Sequence, residues 1–122
     1  KLTPGRDDLR LQLADALFNA GDMSGASYHY NTILQANPKH AEALNGKGLC
    51  LLANQKLRDA EVAFRGSIAG NAKFIPAYNN LAVTLERENR RPEAIAILQK
   101  AKKLDPANGE IKANLDRMKA AG

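Results

Sequence analysis

Residues 26–30 read Ala-Ser-Tyr-His-Tyr, residues 60–64 read Ala-Glu-Val-Ala-Phe and residues 94–98 read Ala-Ile-Ala-Ile-Leu, so the three segments begin 34 residues apart. In each segment an alanine is followed, four places later, by an aromatic or large aliphatic residue. Similar residues that recur at one fixed spacing indicate a repeated structural unit, because each unit has the same packing to satisfy. We therefore predict three copies of one small unit.

The same spacing holds upstream of each segment. The aligned pairs are Leu13-Ala14, Lys47-Gly48 and Leu81-Ala82, and a leucine follows each pair three places later. This pattern resembles the tetratricopeptide repeat family, whose period is about 34 residues. The resemblance covers residues 7–120. It implies an all-α fold class: an α-solenoid of three helix-turn-helix repeats (7–40, 41–74 and 75–108) with a C-terminal capping helix (109–121), in a single domain over residues 1–122.

Repeat two departs most from the family pattern. The family commonly has Trp where Leu44 stands, and the same is true of Arg10 in repeat one. Lys47 replaces an apolar residue, and Ala72 replaces the proline that ends the unit. The second repeat is therefore the most irregular of the three.

Helical periodicity supports the repeats independently of the family. Apolar residues recur three and four places apart in paired segments (7–20 with 24–36, 41–53 with 57–70, and 75–88 with 91–103) and in a last segment, Gly109–Ala121. Gly21-Asp22 predicts a turn in the first pair, and Asn89 suits a left-handed turn position better than Gln55 does at the equivalent place. The residues predicted to fill the layer between hairpins are Leu13, Leu17, Tyr30, Phe64, Leu81, Leu85 and Leu98.

Composition limits the class of protein. With 44% hydrophobic and 25% charged residues, the 122-residue chain has the make-up of an ordinary globular domain. No apolar run approaches the roughly 18 residues of a membrane span, so none is expected. The single cysteine, Cys50, has no partner for an internal disulfide. The compartment is left open: cytoplasmic, or exported if a signal was removed.

The resemblance implies that the first helix of each repeat lines a concave groove. The predicted groove residues are Gln12, Asp15, Asn45, Leu49, Leu52, Asn79, Asn80, Val83, Arg87, Asn114 and Arg117. A side-chain amide offers both a donor and an acceptor, so a row of amides can bond the backbone of an extended peptide while apolar residues receive its side chains. The alternative is that these amides are ordinary surface groups, or that they bond between neighbouring helices.

Charge is distributed unevenly along this predicted groove. Asp8, Asp15 and Glu42 lie at one end, and Arg87 and Arg117 lie at the other. Such a polarity would set the direction of a bound peptide, or it would form a solvated face.

These features favour a non-catalytic scaffold or adaptor that binds a protein or peptide partner. The alternative is a structural assembly module that self-associates through its terminal helices. In that case Leu9, Leu11 and Leu13 would lie open on the first helix, where a preceding repeat would otherwise pack.

Other functions are not expected. His29, His40 and Cys50 fall in no metal-ligand spacing, and we predict no catalytic residue, metal or cofactor, so the chain is not expected to be an enzyme. The basic residues of 87–103 have no aromatic beside them to stack on bases, which argues against nucleic acid. The family's carboxylate clamp for chaperone tails needs lysine, asparagine and arginine at positions held here by Leu11, Asp15, Gly46, Pro76 and Asn80. That mode of binding is therefore not expected.

Two phrases resemble bacterial tetratricopeptide repeat proteins of pilus assembly. They are Asn79-Asn80-Leu81-Ala82, followed by Pro92-Glu93-Ala94, with a further Asn-Leu in the closing helix. This resemblance implies an exported bacterial scaffold in a secretion or pilus complex. It does not identify the partner, because a fold does not fix a function.

Overall fold

The computed structural model describes residues 4–121, and every element in that range is a helix. The elements are α1 (Pro4–Asn19), α2 (Met23–Ala36), α3 (Ala41–Ala53), α4 (Leu57–Gly70), α5 (Ile75–Arg87), α6 (Arg91–Leu104) and α7 (Gly109–Ala121). Helices α1 and α2, α3 and α4, and α5 and α6 pack as hairpins, each hairpin contacts the next, and α7 packs against α6. This arrangement confirms the predicted all-α solenoid with a closing helix.

The helix ends differ little from the predicted ones. Helices α3, α4 and α7 have the predicted bounds, whereas α1 begins at Pro4, three residues before the predicted start at position 7. The remaining ends agree with the predicted ones or differ by one residue, which is ordinary because helix ends lack part of their hydrogen bonding. No helix between residues 4 and 121 is long and apolar enough to cross a membrane.

The turns inside the three hairpins share one backbone geometry. Each is closed by an N–H that donates to the carbonyl five residues earlier: Asp22 to Leu17 (2.8 Å), Lys56 to Leu51 (2.9 Å) and Arg90 to Leu85 (2.9 Å). The residue before each donor has a positive φ, 89° at Gly21 and 63° at both Gln55 and Asn89. The left-handed Asn89 is thus confirmed. Gln55 adopts the same conformation, although its β-carbon disfavours it by about 1 kcal/mol.

Side chains cap three of the helices. Asp22 accepts from the backbone N–H of Gly25 at 2.9 Å, and Nδ1 of His40 accepts from the N–H of Ala43 at 3.2 Å. Asn108 accepts from the N–H of Ile111 at 3.0 Å at the start of α7. The first N–H groups of a helix have no intrahelical acceptor, so these bonds fix where α2, α3 and α7 begin.

Buried side chains form two clusters along the stack. One joins α1, α2 and α3 around Tyr30 and Ile33, and the other joins α3 to α7 around Phe64, Leu85 and Leu98. Close approach of the helices depends on small residues. A β-carbon at Gly48 would lie 2.5 Å from the ring of Phe64, so any larger residue would push α3 and α4 apart.

The predicted layer between hairpins is correct except at its start. Leu13 is 47% exposed and Leu17 is only half-buried, whereas Leu81, which matches Leu13 in repeat three, is fully buried. The reason is positional: among the described residues, no hairpin packs ahead of α1, as α3 and α4 do ahead of α5. Leu9 is likewise 69% exposed, but Leu11, expected to lie open beside it, is buried in the first cluster.

Candidate functional site

A cleft of about 290 Å³ opens between α1 and α3. Its lining residues are Asp15, Phe18, Asn19, Tyr30, Glu42, Asn45, Gly46, Leu49 and Phe74. We call this the concave cleft, because α1 and α3 are first helices of their repeats, which were predicted to line the concave groove. It brings together three of the predicted site residues, Asp15, Asn45 and Leu49. Tyr30 and Phe74 are additional members that the sequence pattern did not assign to the groove.

Tyr30 reaches the concave cleft from the second helix of its repeat. A β-carbon at Gly46 would lie 2.2 Å from the Tyr30 ring, so the ring needs glycine at this position in order to pass between α1 and α3. The Tyr30 hydroxyl then donates to Oδ1 of Asp15. Burial, reinforced by the hydrogen bond to Asp15, raises the pKa of Tyr30 above its ordinary value, so the phenol stays a neutral donor.

The groove amides are paired between helices. Nδ2 of Asn80 donates to Oδ1 of Asn45 at 3.0 Å, which joins α5 to α3. One repeat later, Nδ2 of Asn114 donates to Oδ1 of Asn79, which joins α7 to α5. The inner members, Asn45 and Asn79, are 8% and 7% exposed, and the outer members are half-buried. The four amides thus form two pairs that join α3, α5 and α7, so they bond between neighbouring repeats, which is the alternative that the sequence left open.

Arg117 and Arg87 differ in their surroundings. A guanidinium nitrogen of Arg117 lies 2.8 Å from Oε2 of Glu86, and Arg91 approaches the same oxygen at 3.9 Å. The hydrogen bond from Arg117 holds the pKa of Glu86 below its ordinary value, so the pair stays charged near neutral pH. Because Glu86 offsets the charge of Arg117, the exposed Arg87 is the stronger cationic element at this end of the groove.

The other predicted groove residues are spread along the stack. Gln12 is exposed on α1, outside the concave cleft, and Val83 is half-buried on α5. Leu52 is 8% exposed and packs into the larger core cluster, so little of its surface faces solvent.

The arginine at the start of α6 links that helix to α4. Arg90 lies 2.8 Å from carboxylate oxygens of both Glu61 and Glu93, and 3.3 Å from one of Glu88. Burial favours the neutral form of Glu61, but hydrogen bonds from Arg65 and Arg90 outweigh it and hold the pKa of Glu61 below its ordinary value. The network fixes the α5–α6 turn against α4.

The histidines and the cysteine make contacts within the fold. Arg10 donates to Nδ1 of His29 at 2.9 Å, and His40 is the cap of α3. Cys50 is 2% exposed, and burial raises the pKa of its thiol, which disfavours the reactive thiolate. Within residues 4–121, no group of three or more His, Cys, Asp and Glu side chains is arranged to hold a metal ion.

Family models decide what this stack of hairpins is. A model described as tetratricopeptide repeat matches residues 11–73, and a second model of the same description matches residues 75–108. The first match alone covers 63 of the 122 residues, which is more than half of the chain.

The chain belongs to the tetratricopeptide repeat family.

A plant protein shares this repeat region. The probable UDP-N-acetylglucosamine--peptide N-acetylglucosaminyltransferase SPINDLY of Hordeum vulgare is 31% identical over 107 residues, which are 88% of this chain. The matched region is 11% of that relative, so this chain spans about one tenth of its length. The likeness therefore concerns the tetratricopeptide repeats.

Solved tetratricopeptide repeat domains have the same architecture. The first such domain of Spaghetti (RPAP3), bound to the HSP90 peptide SRMEEVD, has a TM-score of 0.90 at 18% identity, with 98% of each chain covered. The second domain of human RPAP3, in complex with the HSP70 peptide SGPTIEEVD, has a TM-score of 0.84 at 18% identity, with 96% of this chain and 98% of that one covered. At this identity the likeness shows the fold alone.

Proposed function

We propose that this tetratricopeptide repeat domain is a non-catalytic scaffold that binds an extended segment of another polypeptide along its concave face. The observation that carries the proposal is the row of paired amides on α3, α5 and α7, which continues from the concave cleft. Paired amides hold one another in fixed positions, and a preorganised site loses less entropy when a ligand binds.

The pairing leaves peptide-bonding groups on each amide. A side-chain amide has two N–H donors and an oxygen acceptor, and each pair uses one donor and one oxygen. In the first pair, both N–H donors of Asn45 and the oxygen of Asn80 are not used by the bond between them. A peptide backbone presents the complementary carbonyl and N–H, so Asn80 and Asn114, the less buried members, are the proposed contacts.

Apolar and charged residues of the groove give the proposed ligand its character. Leu49 and Phe74 line the concave cleft and would receive an apolar side chain of the peptide. Asp15 and Glu42 lie in the same cleft, whereas Arg87 is exposed on α5. We infer that the peptide places a cationic residue at the α1 end and an acidic residue at the α5 end.

The proposed ligand differs from the peptides bound to the RPAP3 domains. Those peptides end in Glu-Glu-Val-Asp, as their printed sequences show. In this chain, Leu11 is buried and Asp15 accepts from Tyr30, so two positions of the family's carboxylate clamp carry no cation. An acidic peptide tail would meet the carboxylates of Asp15 and Glu42 and be repelled.

Affinity capture with the purified domain tests the proposal, with the variant Asn80→Ala/Asn114→Ala run beside it. We expect a polypeptide that the wild type retains and the variant loses. Ser67→Ala is the control for a lost hydrogen bond, because it removes a buried bond of 2.7 Å from α4 to the Ala41 carbonyl and leaves the four amides in place. Equal retention of the polypeptide by the wild type and both variants would show that it does not bind at Asn80 and Asn114.

A second candidate function is self-association through the α1 edge. Leu9 and Leu13 line a depression of about 290 Å³ together with Arg6, Arg10 and His29, and both leucines are exposed. A role inside a bacterial secretion or pilus complex would be of this second kind, and it is supported only by the short sequence motifs at residues 79–82 and 92–94. Light scattering of the wild type and of Leu9→Glu/Leu13→Glu tests it: a wild-type mass that stays monomeric at all concentrations rejects self-association.

A further inference from the structure

A second depression lies between α3 and α4 of repeat two and has a volume of about 680 Å³. It is lined by Pro38, Lys39, Leu44, Lys47, Leu51, Asp59, Val62, Ala63, Gly66 and Ala69. We call it the α3–α4 groove. It shares no lining residue with the concave cleft, so it is a separate surface.

In repeat three, the equivalent positions carry large side chains that are buried in the protein itself. Tyr78, Leu81 and Leu85 stand 34 residues after Leu44, Lys47 and Leu51, and all three are 2% exposed or less. The Tyr78 hydroxyl donates to the carbonyl of Ala72 at 2.5 Å. The tyrosine ring therefore spans from the first helix of its repeat to the turn that precedes it.

The backbone turn before α3 in repeat two matches the turn before α5, although repeat two has no tyrosine at this position. Ala72 corresponds to Pro38, and the turns around them match: the N–H of Phe74 donates to Asn71 at 3.0 Å, and that of His40 donates to Asn37 at 3.1 Å. These bonds place the Pro38 carbonyl before α3 in the way that the Ala72 carbonyl lies before α5.

Smaller residues leave the space open. Leu44 lacks the reach of Tyr78, and Ala63 stands where repeat three has Ile97. A β-carbon at Gly66 would lie 3.4 Å from Cδ1 of Leu44, so the Leu44 side chain lies against α4 at Gly66. Val62 stays 67% exposed beside the groove.

We propose that the α3–α4 groove binds a tyrosine side chain of a partner polypeptide, flanked in that partner by a carboxylate. The ring would lie where Tyr78 lies in repeat three, and its hydroxyl would donate to the Pro38 carbonyl. The flanking carboxylate would pair with Lys47, which replaces the apolar Leu81. The lining carries two cations, Lys39 and Lys47, against one anion, Asp59, so its charge favours an acidic partner. Its volume is in the range of about 300–1,000 Å³ typical of ligand sites.

The two valines of the chain allow a direct test, because Val62 lines this groove and Val83, on α5, is one of the predicted residues of the peptide groove. The protein is labelled with ¹³C at valine methyl groups and titrated with the peptide acetyl-Gly-Glu-Tyr-Glu-Gly-amide. We expect the Val62 methyl signals to shift and those of Val83 to stay. Replacing the peptide's tyrosine by phenylalanine should weaken binding roughly threefold to tenfold, because one hydrogen bond is lost.

Variants of the groove complete the test. Leu44→Tyr should fill the groove from within, raise the melting temperature and abolish the Val62 shift. Lys47→Glu should weaken peptide binding about tenfold by reversing the charge at the flanking carboxylate. Lys56→Glu, an exposed position in the α3–α4 turn, is the charge-matched control and should bind as the wild type does.

Three results would overturn the proposal. The first is a Val62 signal that the peptide does not move. The second is an equal shift in the Leu44→Tyr variant, provided that its spectrum shows the native fold. The third is a Val62 shift that grows with protein concentration alone and disappears in Tyr28→Ala, since Tyr28 is 65% exposed and could enter the groove of a second copy.

Discussion

Asn80, the sixth residue of repeat three, donates its side-chain amide to Oδ1 of Asn45, the fifth residue of repeat two, across 3.0 Å. The pair Asn114 and Asn79 repeats this diagonal contact one unit later. At the first junction the same diagonal falls on Gly46 and Leu11, and Tyr30 passes over the glycine to bond Asp15 instead. The predicted groove therefore has amide pairs at its later junctions and a tyrosine–aspartate contact at its first junction.

The amide pair should be energetically coupled. We expect a double-mutant cycle of Asn45→Ala and Asn80→Ala to give a coupling free energy of about 1 kcal/mol, the usual net value of one hydrogen bond. Urea unfolding of the wild type, both single variants and the double variant measures it. Asn45→Ala with Asn54→Ala is the control cycle, since Asn54 is exposed at the end of α3. Coupling near zero in the test cycle would mean that solvent replaces the bond without loss.

Tyr30→Phe should lower the free energy of unfolding by about 1 kcal/mol, because it removes the bond to Asp15 and keeps the packed ring. Tyr28→Phe is the matched control and should leave stability unchanged, because Tyr28 is 65% exposed. Thermal unfolding of the three proteins compares them. An equal loss of unfolding free energy in both variants would show that the hydrogen bond to Asp15 does not stabilise the fold.

Gln55→Asn should raise the free energy of unfolding by roughly 0.5 kcal/mol. Gln55 has a φ of 63°, and asparagine tolerates this left-handed conformation better than glutamine. Gln35→Asn, at an exposed helical position in α2, should not stabilise the protein, because asparagine has the lower helix propensity. A loss of stability in Gln55→Asn would point to a contact of the longer side chain.

Acid should weaken the Glu61 network. The pKa of Glu61 is lower in the folded protein than its ordinary value of 4.5, so its ion pairs stabilise the fold above about pH 4.5, and that contribution is lost as the pH falls through the lowered pKa. Glu88 acts in the opposite sense. Burial and the hydrogen bond to Glu61 raise the pKa of Glu88, so its contribution is present at low pH and is lost as the pH rises through that raised value.

The difference in unfolding free energy between the wild type and Glu61→Gln should therefore be largest near pH 7, at about 1 kcal/mol, and should shrink below pH 4.5. Urea unfolding at a series of pH values measures this difference. Glu110→Gln, at an exposed position on α7, serves as the control for the loss of one charge. A difference that does not change with pH would show that the charge of Glu61 does not stabilise the fold.

The period of 34 residues was sufficient to predict the hairpins, because the same packing recurs in every unit. It raised bonding of the amides between helices only as an alternative and could not predict that Asn45 meets Asn80, since the relative rotation of neighbouring helices decides which positions meet. The entry of Tyr30 into the concave cleft was missed for a similar reason. Its signal was present in the sequence as glycine at position 46, where a β-carbon would lie 2.2 Å from the ring.

The position of Leu13 shows a different limit. The repeat pattern treats it like Leu81, but burial depends on what lies ahead of the helix, and only Leu81 has a preceding hairpin among the described residues. The prediction of charge along the groove from the sequence was limited in a similar way. The sequence places Arg117 at the cationic end of the groove, whereas the fold brings it to 2.8 Å from Glu86.

The most direct measurement of the central claim is an NMR titration of the domain with the polypeptide segment that it captures. Signals from the side-chain amides of Asn80 and Asn114 and from the methyl groups of Val83 report the proposed peptide groove, and those of Val62 report the α3–α4 groove. If an extended polypeptide binds along α3, α5 and α7, the two amides and Val83 shift together and saturate at one affinity. Shifts at Val62 alone, with both amides unmoved, would show that the polypeptide binds elsewhere.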